Sequence, residues 1–509
     1  MRCVLLFAWL TLRVTAAKCS ASFFSSLLPQ NYSLSYASHV PENGTFTDSW
    51  ADGNATSLPE GCAVGLQVQT ANGSQFQMAM YLPSDWNNRF MATGNGGFGG
   101  YTAWISMGAL AQYGFATLST NTGHQSSQLD GSWALNNPEA IINWAWRAMH
   151  MGVVIGKNIT TGFYNSSIQY SYYAGCSTGG RQGLKEVQEF PDDFDGALIG
   201  APAWWMDNLP VYGAWLGAHN LPVNASYHVS PQQLQMLARE AVRQCDPQDG
   251  VEDGIVMRPR ECKFTLEPLH CTSSVNISST CFSDAQMGTV QYILDDWVSI
   301  TEGDEPVSLD ADWIYDFLLN VTSYNWADLN YGMIELSNAI NPGTAQASKF
   351  DISAFKERGG KIIHYHGYAD EIIPTESSRY YYDHVRGAFL NSLTTVTDFY
   401  RFFYIPGMEH CTSSSMQEAP WYIGAALQPA AVQGLTYGVP GYEDRYHDSI
   451  LALMAWTEND TAPDYLVATK YIDDDISKGI QRQRPLCPYP QLALYVNGDV
   501  NQSTSWICN

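Results

Sequence analysis

Apolar and polar positions alternate along residues 62–80 with a break at Asn72-Gly73. A period of two around such a turn pair predicts a β-hairpin. The pattern then tightens into short unbroken apolar runs. Arg89-Phe90-Met91-Ala92-Thr93 predicts a buried strand leading into a glycine-rich loop, Gly94-Asn95-Gly96-Gly97-Phe98-Gly99-Gly100. A helix-like segment follows, then a second strand at Phe115-Ala116-Thr117-Leu118-Ser119. Residues 138–155 carry the apolar repeat of a long helix. A strand over 167–173, a helix through 183–189 and a short strand at Ala197-Leu198-Ile199-Gly200 complete this half. Alternating strands and helices predict the α/β class: a mostly parallel sheet with helices on both faces.

The alternation lapses from Trp204 to Thr344, a stretch rich in Trp, Asn, Asp, Ser and Cys with scattered helical patterns. Strands resume at Lys361-Ile362-Ile363-His364-Tyr365-His366-Gly367 and Tyr400-Arg401-Phe402-Phe403-Tyr404-Ile405. The expected organisation is therefore a core in two parts, residues 18–203 and 345–509, with residues 204–344 inserted as a lid domain.

Charge narrows the classes of partner. Asp and Glu number 50 against 25 Lys and Arg, a net charge of −25. Nucleic acid and anionic membrane both demand basic surface, so neither is expected as a partner. The first 17 residues read as a secretory signal: Arg2, an apolar run from Val4 to Leu12, and a small-residue cleavage site at Thr15-Ala16-Ala17. Removing it takes Cys3 and leaves ten cysteines, an even number suited to disulfides in an oxidising compartment. Sequons head at Asn31, Asn43, Asn54, Asn72, Asn158, Asn165, Asn224, Asn276, Asn320, Asn459 and Asn501. A secreted, extracellular glycoprotein is expected.

The strongest chemical signal is Gly175-Cys176-Ser177-Thr178-Gly179-Gly180. It matches G-x-S-x-G between a predicted strand and a predicted helix, the setting of the α/β-hydrolase nucleophile elbow, and so points to Ser177. A serine hydroxyl needs a base, and the base an orienting carboxylate, in the chain order Ser, Asp or Glu, His. Asp370 follows the 361–367 strand, with Glu371 as its neighbour and rival. His410 follows the 400–405 strand, with His364, His366, His384 and His447 as rivals; the first two sit within a strand, where a packed or hydrogen-bonded role is expected. For the oxyanion, the N–H of Thr178 and one from the glycine-rich loop, assigned to Gly97, are the expected donors. Cys176 precedes the serine and Cys411 follows the histidine. A bond between them would pin the two loops together; each could also pair elsewhere.

Gly175-Cys176-Ser177, Asp370 and His410-Cys411 together resemble the Cys-Ser/Asp/His-Cys pattern of the fungal tannase and feruloyl esterase family, over essentially the whole mature chain. The resemblance implies a Cys176–Cys411 bridge and a serine esterase of aromatic esters. It also changes the reading of Cys245-Asp246-Pro247-Gln248-Asp249-Gly250-Val251-Glu252-Asp253-Gly254-Ile255, which composition alone would leave as an exposed acidic turn. The family's pattern implies a structural Ca2+ there, held by the side chains of Asp246, Asp249 and Asp253 and the carbonyls of Val251 and Ile255. The remaining cysteines are expected to pair locally: Cys19 with Cys62, Cys245 with Cys262, Cys271 with Cys281, and Cys487 with Cys508.

The expected substrate is a feruloyl or other hydroxycinnamoyl ester linked to plant cell-wall polysaccharide, free or polymer-bound. Trp204-Trp205 and lid tyrosines are candidates to line its pocket, or to serve only in packing. A tannase cleaving gallate esters is the enzymatic alternative, and a non-catalytic hydrolase-fold binding protein the alternative from another class.

Overall fold

The computed structural model describes residues 18–28, 32–271, 281–296, 301–302, 305–390 and 395–509. The signal segment and the sequons at Asn31 and Asn276 lie outside them. Nine strands form the main sheet: β1 (Tyr32–Val40), β2 (Gly61–Gln69), β3 (Gln75–Pro83), β4 (Arg89–Thr93), β5 (Ala116–Thr120), β6 (Tyr170–Cys176), β7 (Gly196–Gly200), β8 (Lys361–Gly367) and β9 (Tyr400–Ile405). Their order is β1-β2-β3-β5-β4-β6-β7-β8-β9. The pairings from β1 to β5 are antiparallel. From β5 onward every pairing is parallel. The hairpin expected at residues 62–80 is β2 and β3, in unbroken register from Gly61 opposite Pro83 to Gln69 opposite Gln75.

Helices cover both faces because successive side chains of the central strands point to opposite sides. Tyr173 of β6 packs with Leu184 and Val187 of helix α3 (Thr178–Glu189) and with Val153 and Ile159 of α2 (Ala148–Tyr164). Its neighbours Tyr172 and Ala174 face the other way, onto Ile450, Leu453 and Trp456 of α8 (Ser449–Asn459). Helix α1 (Trp104–Ala111) covers β2 and β3. Helix α7 (Thr375–Ala388) packs Tyr381, Tyr382 and Val385 against β8 and β9.

Between β7 and β8 no described strand joins the nine-stranded sheet. This stretch carries α4 (Leu209–His219), α5 (Pro231–Cys245) and α6 (Gly332–Ile340). Helix α5 starts where the sequence dictates: Ser230 and Gln233 form a capping box, and Pro231 needs no hydrogen bond at the first position. An apolar cluster of Trp313 and Phe317 against Phe98 and Trp144 joins this region to the glycine-rich loop.

The helix expected over 138–155 is interrupted. A short helix, Pro138–Ile142, gives way to a π-turn at Asn143–Arg147 before α2 begins. Asn143 Nδ2 donates to Ser74 Oγ (2.9 Å) and Asn143 Oδ1 accepts from Arg147 Nε (2.6 Å), so polar contacts hold the widened turn. An apolar repeat does not register such a bulge. A further antiparallel pair, Leu466–Tyr471 with Ile480–Leu486, lies outside the main sheet.

Candidate active site

Strand β6 ends at Cys176 and α3 starts at Thr178, so a single residue makes the turn. Ser177 takes φ 62° and ψ −125°, a conformation costly for any residue with a Cβ. Its N–H donates to the Gly200 carbonyl (3.0 Å), and its own carbonyl accepts from Arg181 (3.0 Å) and Ala203 (3.1 Å). Those bonds fix the strained backbone. Small neighbours permit it: a Cβ on Gly175 would come within 2.7 Å of the Gly179 carbonyl oxygen.

Asp370 lies three residues beyond β8, and His410 five beyond β9. The Asp370 carboxylate is fully buried. Its Oδ2 accepts from His410 Nδ1 (2.8 Å), and its Oδ1 accepts from the N–H groups of Ile372 (2.9 Å) and Ile373 (2.8 Å). Burial alone would push the carboxyl's pKa up; the His410 charge and the hydrogen bonds from His366 and His410 hold it well below the usual carboxylate range. For His410, burial pushes the pKa down, but the Asp370 charge and hydrogen bond outweigh it and the net shift is upward. Glu371, the rival, turns its Oε2 to the His410 backbone N–H (3.1 Å) rather than to the ring. Cys176 and Cys411 are bonded with Cα atoms 6.1 Å apart, tying the elbow to the His410 loop across 235 residues. Ser177 Oγ has no hydrogen bond among the described residues, so the Ser177–His410 contact is open in this conformation.

A second histidine completes the carboxylate's shell. His366 Nε2 lies 3.0 Å from Asp370 Oδ2 and 3.2 Å from the Ile373 carbonyl. Both partners only accept, so His366 carries its proton on Nε2, and Nδ1 accepts from Ser378 Oγ (2.7 Å). Ser378 in turn accepts from His364 Nε2 (2.8 Å), whose Nδ1 accepts from the Tyr400 hydroxyl (2.7 Å). The two strand histidines thus form a buried chain behind Asp370. Strand placement signals their burial; their direct link to the carboxylate is not legible in the sequence.

The glycine-rich loop can be inventoried donor by donor. The N–H groups of Gly94, Phe98, Gly99 and Gly100 bond to carbonyls, that of Asn95 to Gln182 Oε1, and that of Gly96 to the Tyr101 hydroxyl. Among the loop residues Gly94 to Gly100, only the Gly97 N–H is left unengaged. Gly97 has φ 51°, and a Cβ there would strike the Gln128 carbonyl. The loop is braced by three aromatic or imidazole groups that the sequence did not single out. Trp144 Nε1 donates to the Gly97 carbonyl (3.2 Å), and His124 Nε2 (2.8 Å) and Trp133 Nε1 (3.2 Å) donate to that of Phe98. Thr178 supplies the second free N–H, because the first helical positions have no intrahelical acceptor.

Gly97, Ser177 and Thr178 all line one cavity of about 170 Å³, mostly apolar, with Phe98, Met206 and Leu209 among its walls and Asp310 and Glu371 its acidic members. A serine and two free N–H groups on a small cavity, with an Asp–His pair tied to the elbow by a disulfide, can carry out acyl transfer. Trp204 and Trp205 line an adjoining cavity.

The acidic loop fits a hard cation in its donor set. Asp246 and Asp253 are buried, and burial together with the charges of Asp253 and Asp246 raises the Asp249 pKa. Val251 and Ile255 are buried as well, yet their carbonyls accept no hydrogen bond among the described residues. Such carbonyls seek a partner. The loop N–H groups of Asp253 and Ile255 turn to Asp246 Oδ1 (3.2 Å each), and Arg484 Nη2 pairs with Asp253 Oδ2 (2.6 Å). Among the described residues, three acidic or histidine ligand atoms within 4.8 Å of one another occur only at His150, Glu186 and Asp193, where His150 Nδ1 already donates to Asp193 Oδ2 (2.7 Å).

The remaining bridges are Cys19–Cys62, Cys245–Cys262, Cys271–Cys281 and Cys487–Cys508, the pairings expected from local spacing. The sequon asparagines Asn43, Asn54, Asn72, Asn158, Asn165, Asn224, Asn320 and Asn459 are exposed, and Asn501 is half-buried. No helix among the described residues is long and apolar enough to cross a membrane.

A family model described as tannase and feruloyl esterase matches residues 62–308 and 310–509. A protein of Aspergillus oryzae named "Probable feruloyl esterase B-1" is 35% identical over 88% of this chain and 83% of its own length. The feruloyl esterase C of Talaromyces stipitatus is 31% identical over 94% and 92%. The crystal structure of feruloyl esterase B from Aspergillus oryzae superimposes with a TM-score of 0.87 at 33% identity, covering 97% of this chain and 99% of that one. A tannin acyl hydrolase from Aspergillus niger shares the fold, with a TM-score of 0.75 at 22% identity.

Proposed function

The chain belongs to the tannase and feruloyl esterase family, and on that premise we propose that it is a feruloyl esterase working through Ser177, Asp370 and His410. The observation that carries this reading is the convergence of Ser177 and the unengaged Gly97 N–H on one small, mostly apolar cavity, with the His410 loop bridged to the elbow beside it. His410 accepts the Ser177 proton as the hydroxyl oxygen attacks the ester carbonyl. The resulting oxyanion is met by the N–H groups of Gly97 and Thr178, each worth about 3 kcal/mol in a dry site. His410 then gives its proton to the departing alcohol, leaving an acyl-serine. Water, deprotonated by His410, releases the acid and restores the hydroxyl. Asp370 holds the proton of His410 on Nδ1 and stabilises the imidazolium.

The reading extends to the setting. Five disulfides and exposed sequons suit a secreted glycoprotein acting on hydroxycinnamoyl esters of plant cell-wall polysaccharide. The side chains of Asp246, Asp249 and Asp253 with the carbonyls of Val251 and Ile255 would hold a Ca2+. When bound, the ion supplies counter-charge to the clustered carboxylates. The substrate class is tested by the relative kcat/KM for methyl ferulate, methyl caffeate and methyl gallate. Preference for the two cinnamates is expected, and preference for gallate would make the enzyme a tannase with the same nucleophile.

A further inference from the structure

Asp370 Oδ2 is shared by two histidines. His410 Nδ1 lies 2.8 Å from it and His366 Nε2 3.0 Å, while Oδ1 takes the N–H groups of Ile372 and Ile373. The acyl-transfer steps use only His410. His366 and the Asp370 carboxylate are both fully buried, and a hydrogen bond to a charge is strongest in such a dry interior. An apolar side chain would fill the same position of β8 with no polar group to satisfy. A histidine there therefore points to a role beyond packing.

The groups behind His366 fix what it can give. His364 and His366 are two apart on β8 and so share a face, and Ser378 of α7 sits between their rings. Tyr400 of β9 closes the far end. Every bond runs one way: the Tyr400 hydroxyl to His364, His364 to Ser378, Ser378 to His366, and His366 to Asp370. Burial holds the proton on Tyr400 and keeps His364 neutral. A second proton on His366 would turn Nδ1 into a donor. One hydroxyl hydrogen, that of Ser378 or of Tyr400, would then have no acceptor among the described residues.

We propose that His366 is a positioning residue for acyl transfer: kept neutral by this chain, it anchors the Asp370 carboxylate against His410 without cancelling its charge. The inference rests on the esterase reading above. An imidazolium at this position would offset the Asp370 charge that raises the pKa of His410. A neutral donor leaves that charge in place but draws on it, so losing the donor makes Asp370 the stronger acceptor. The titratable groups that bear on the arrangement are Asp370 and Glu371 around His410, the two histidines around Asp370, and His364 behind His366.

Two substitutions separate the two ends of the ring. His366→Asn keeps a polar atom near Nδ1 but cannot reach Asp370, whereas His366→Gln can set an amide N–H where Nε2 lies. With methyl ferulate, His366→Asn should lower kcat about tenfold and leave KM nearly unchanged. It should also move the acid-side midpoint of kcat/KM up by about one pH unit, whereas loss of the charge itself in Asp370→Asn moves it down. His366→Gln should recover most of kcat and the wild-type midpoint. An unmoved midpoint in folded His366→Asn, or equal behaviour of the two variants, would overturn the proposal. If His366→Asn fails to fold, the histidine 15N spectrum of the wild type decides. His366 should stay neutral, with its proton on Nε2, between about pH 5 and 8 while His410 titrates; a His366 that gains charge there would overturn the proposal. A wild type inert on methyl ferulate would instead overturn the esterase reading, and the same 15N titration would still decide the role of His366.

Discussion

At the residue scale the account turns on a few groups whose state is set by their neighbours. His410 acts as a base only when neutral, and its pKa is raised by Asp370 above the ordinary 6.5. The pH profile of kcat/KM should therefore fall on the acid side through a midpoint above 6.5, where His410 gains its proton. Asp370→Asn should move that midpoint down, because the raising charge is gone, and lower the plateau by roughly 10³–10⁴. A midpoint unmoved by the substitution would remove Asp370 from the pair. The placement of Ser177 at the elbow and of Asp370 and His410 on loops after strands was legible because each follows a recognisable strand. The glycine-rich loop was legible, but the unengaged N–H of Gly97 was not. Its N–H is singled out by the engagement of its neighbours with Ala174, Gln182, Tyr101, Gln128, Gly96 and Ser126, contacts spread over more than 80 residues of sequence. The contact of His366 with Asp370, four residues on, was hidden because it depends on how the loop after β8 folds back against the strand.

At the element scale the Cys176–Cys411 bridge and the π-turn do the positioning. Serine at both cysteines should lower the melting temperature, since closing so long a loop is worth roughly 5 kcal/mol in the chain-entropy account. It should also cut kcat/KM about a hundredfold, because displacing His410 by about 1 Å has that cost. Full activity of the double variant would limit the bridge to stability. The sequence located the strands but placed some boundaries poorly. The strand expected at residues 167–173 is Tyr170–Cys176, because the chain stays extended up to the elbow while Asn165, in the left-handed conformation, ends α2 late. Strand β1 went unread: Tyr32, Leu34 and Tyr36 alternate with Ser33 and Ser35, but the strand is half-exposed and the pattern breaks at Ala37-Ser38-His39. The π-turn escaped because its polar contacts, Asn143 to Ser74 and to Arg147, leave no mark on an apolar repeat. Chelation belongs at this scale as well. EDTA should lower the melting temperature by releasing a cation from the 246–255 loop, and an unchanged value would count against calcium there.

At the scale of the whole molecule, 50 acidic residues and a net charge of −25 meet a set of buried groups that hold protons tightly. Burial pushes Asp207 up to about 7 and raises Glu186. His150 is raised because the hydrogen bonds and charges of Asp193 and Glu186 outweigh its burial, and His410 is raised as described above. Each of these groups has a folded pKa above its unfolded value, so the folded state binds more protons and stability falls as pH rises through the folded values. Two groups work the other way at low pH. His364, lowered well below 6.5 by burial, must take a charge below that pH, and Asp370 loses its stabilisation below about pH 4. The melting temperature should therefore drop by several degrees between mildly acidic pH and pH 9; a curve rising across that interval would contradict the buried-proton account. The acidic composition was legible from the sequence, but which carboxyls are buried was not.

The central claim is that Ser177 carries acyl transfer on a hydroxycinnamoyl ester. The most direct measurement is kcat/KM for methyl ferulate with the purified wild-type protein beside Ser177→Ala. The account predicts turnover by the wild type and a loss of several orders of magnitude in the variant, with an unchanged melting profile. Comparable turnover by both proteins would contradict it.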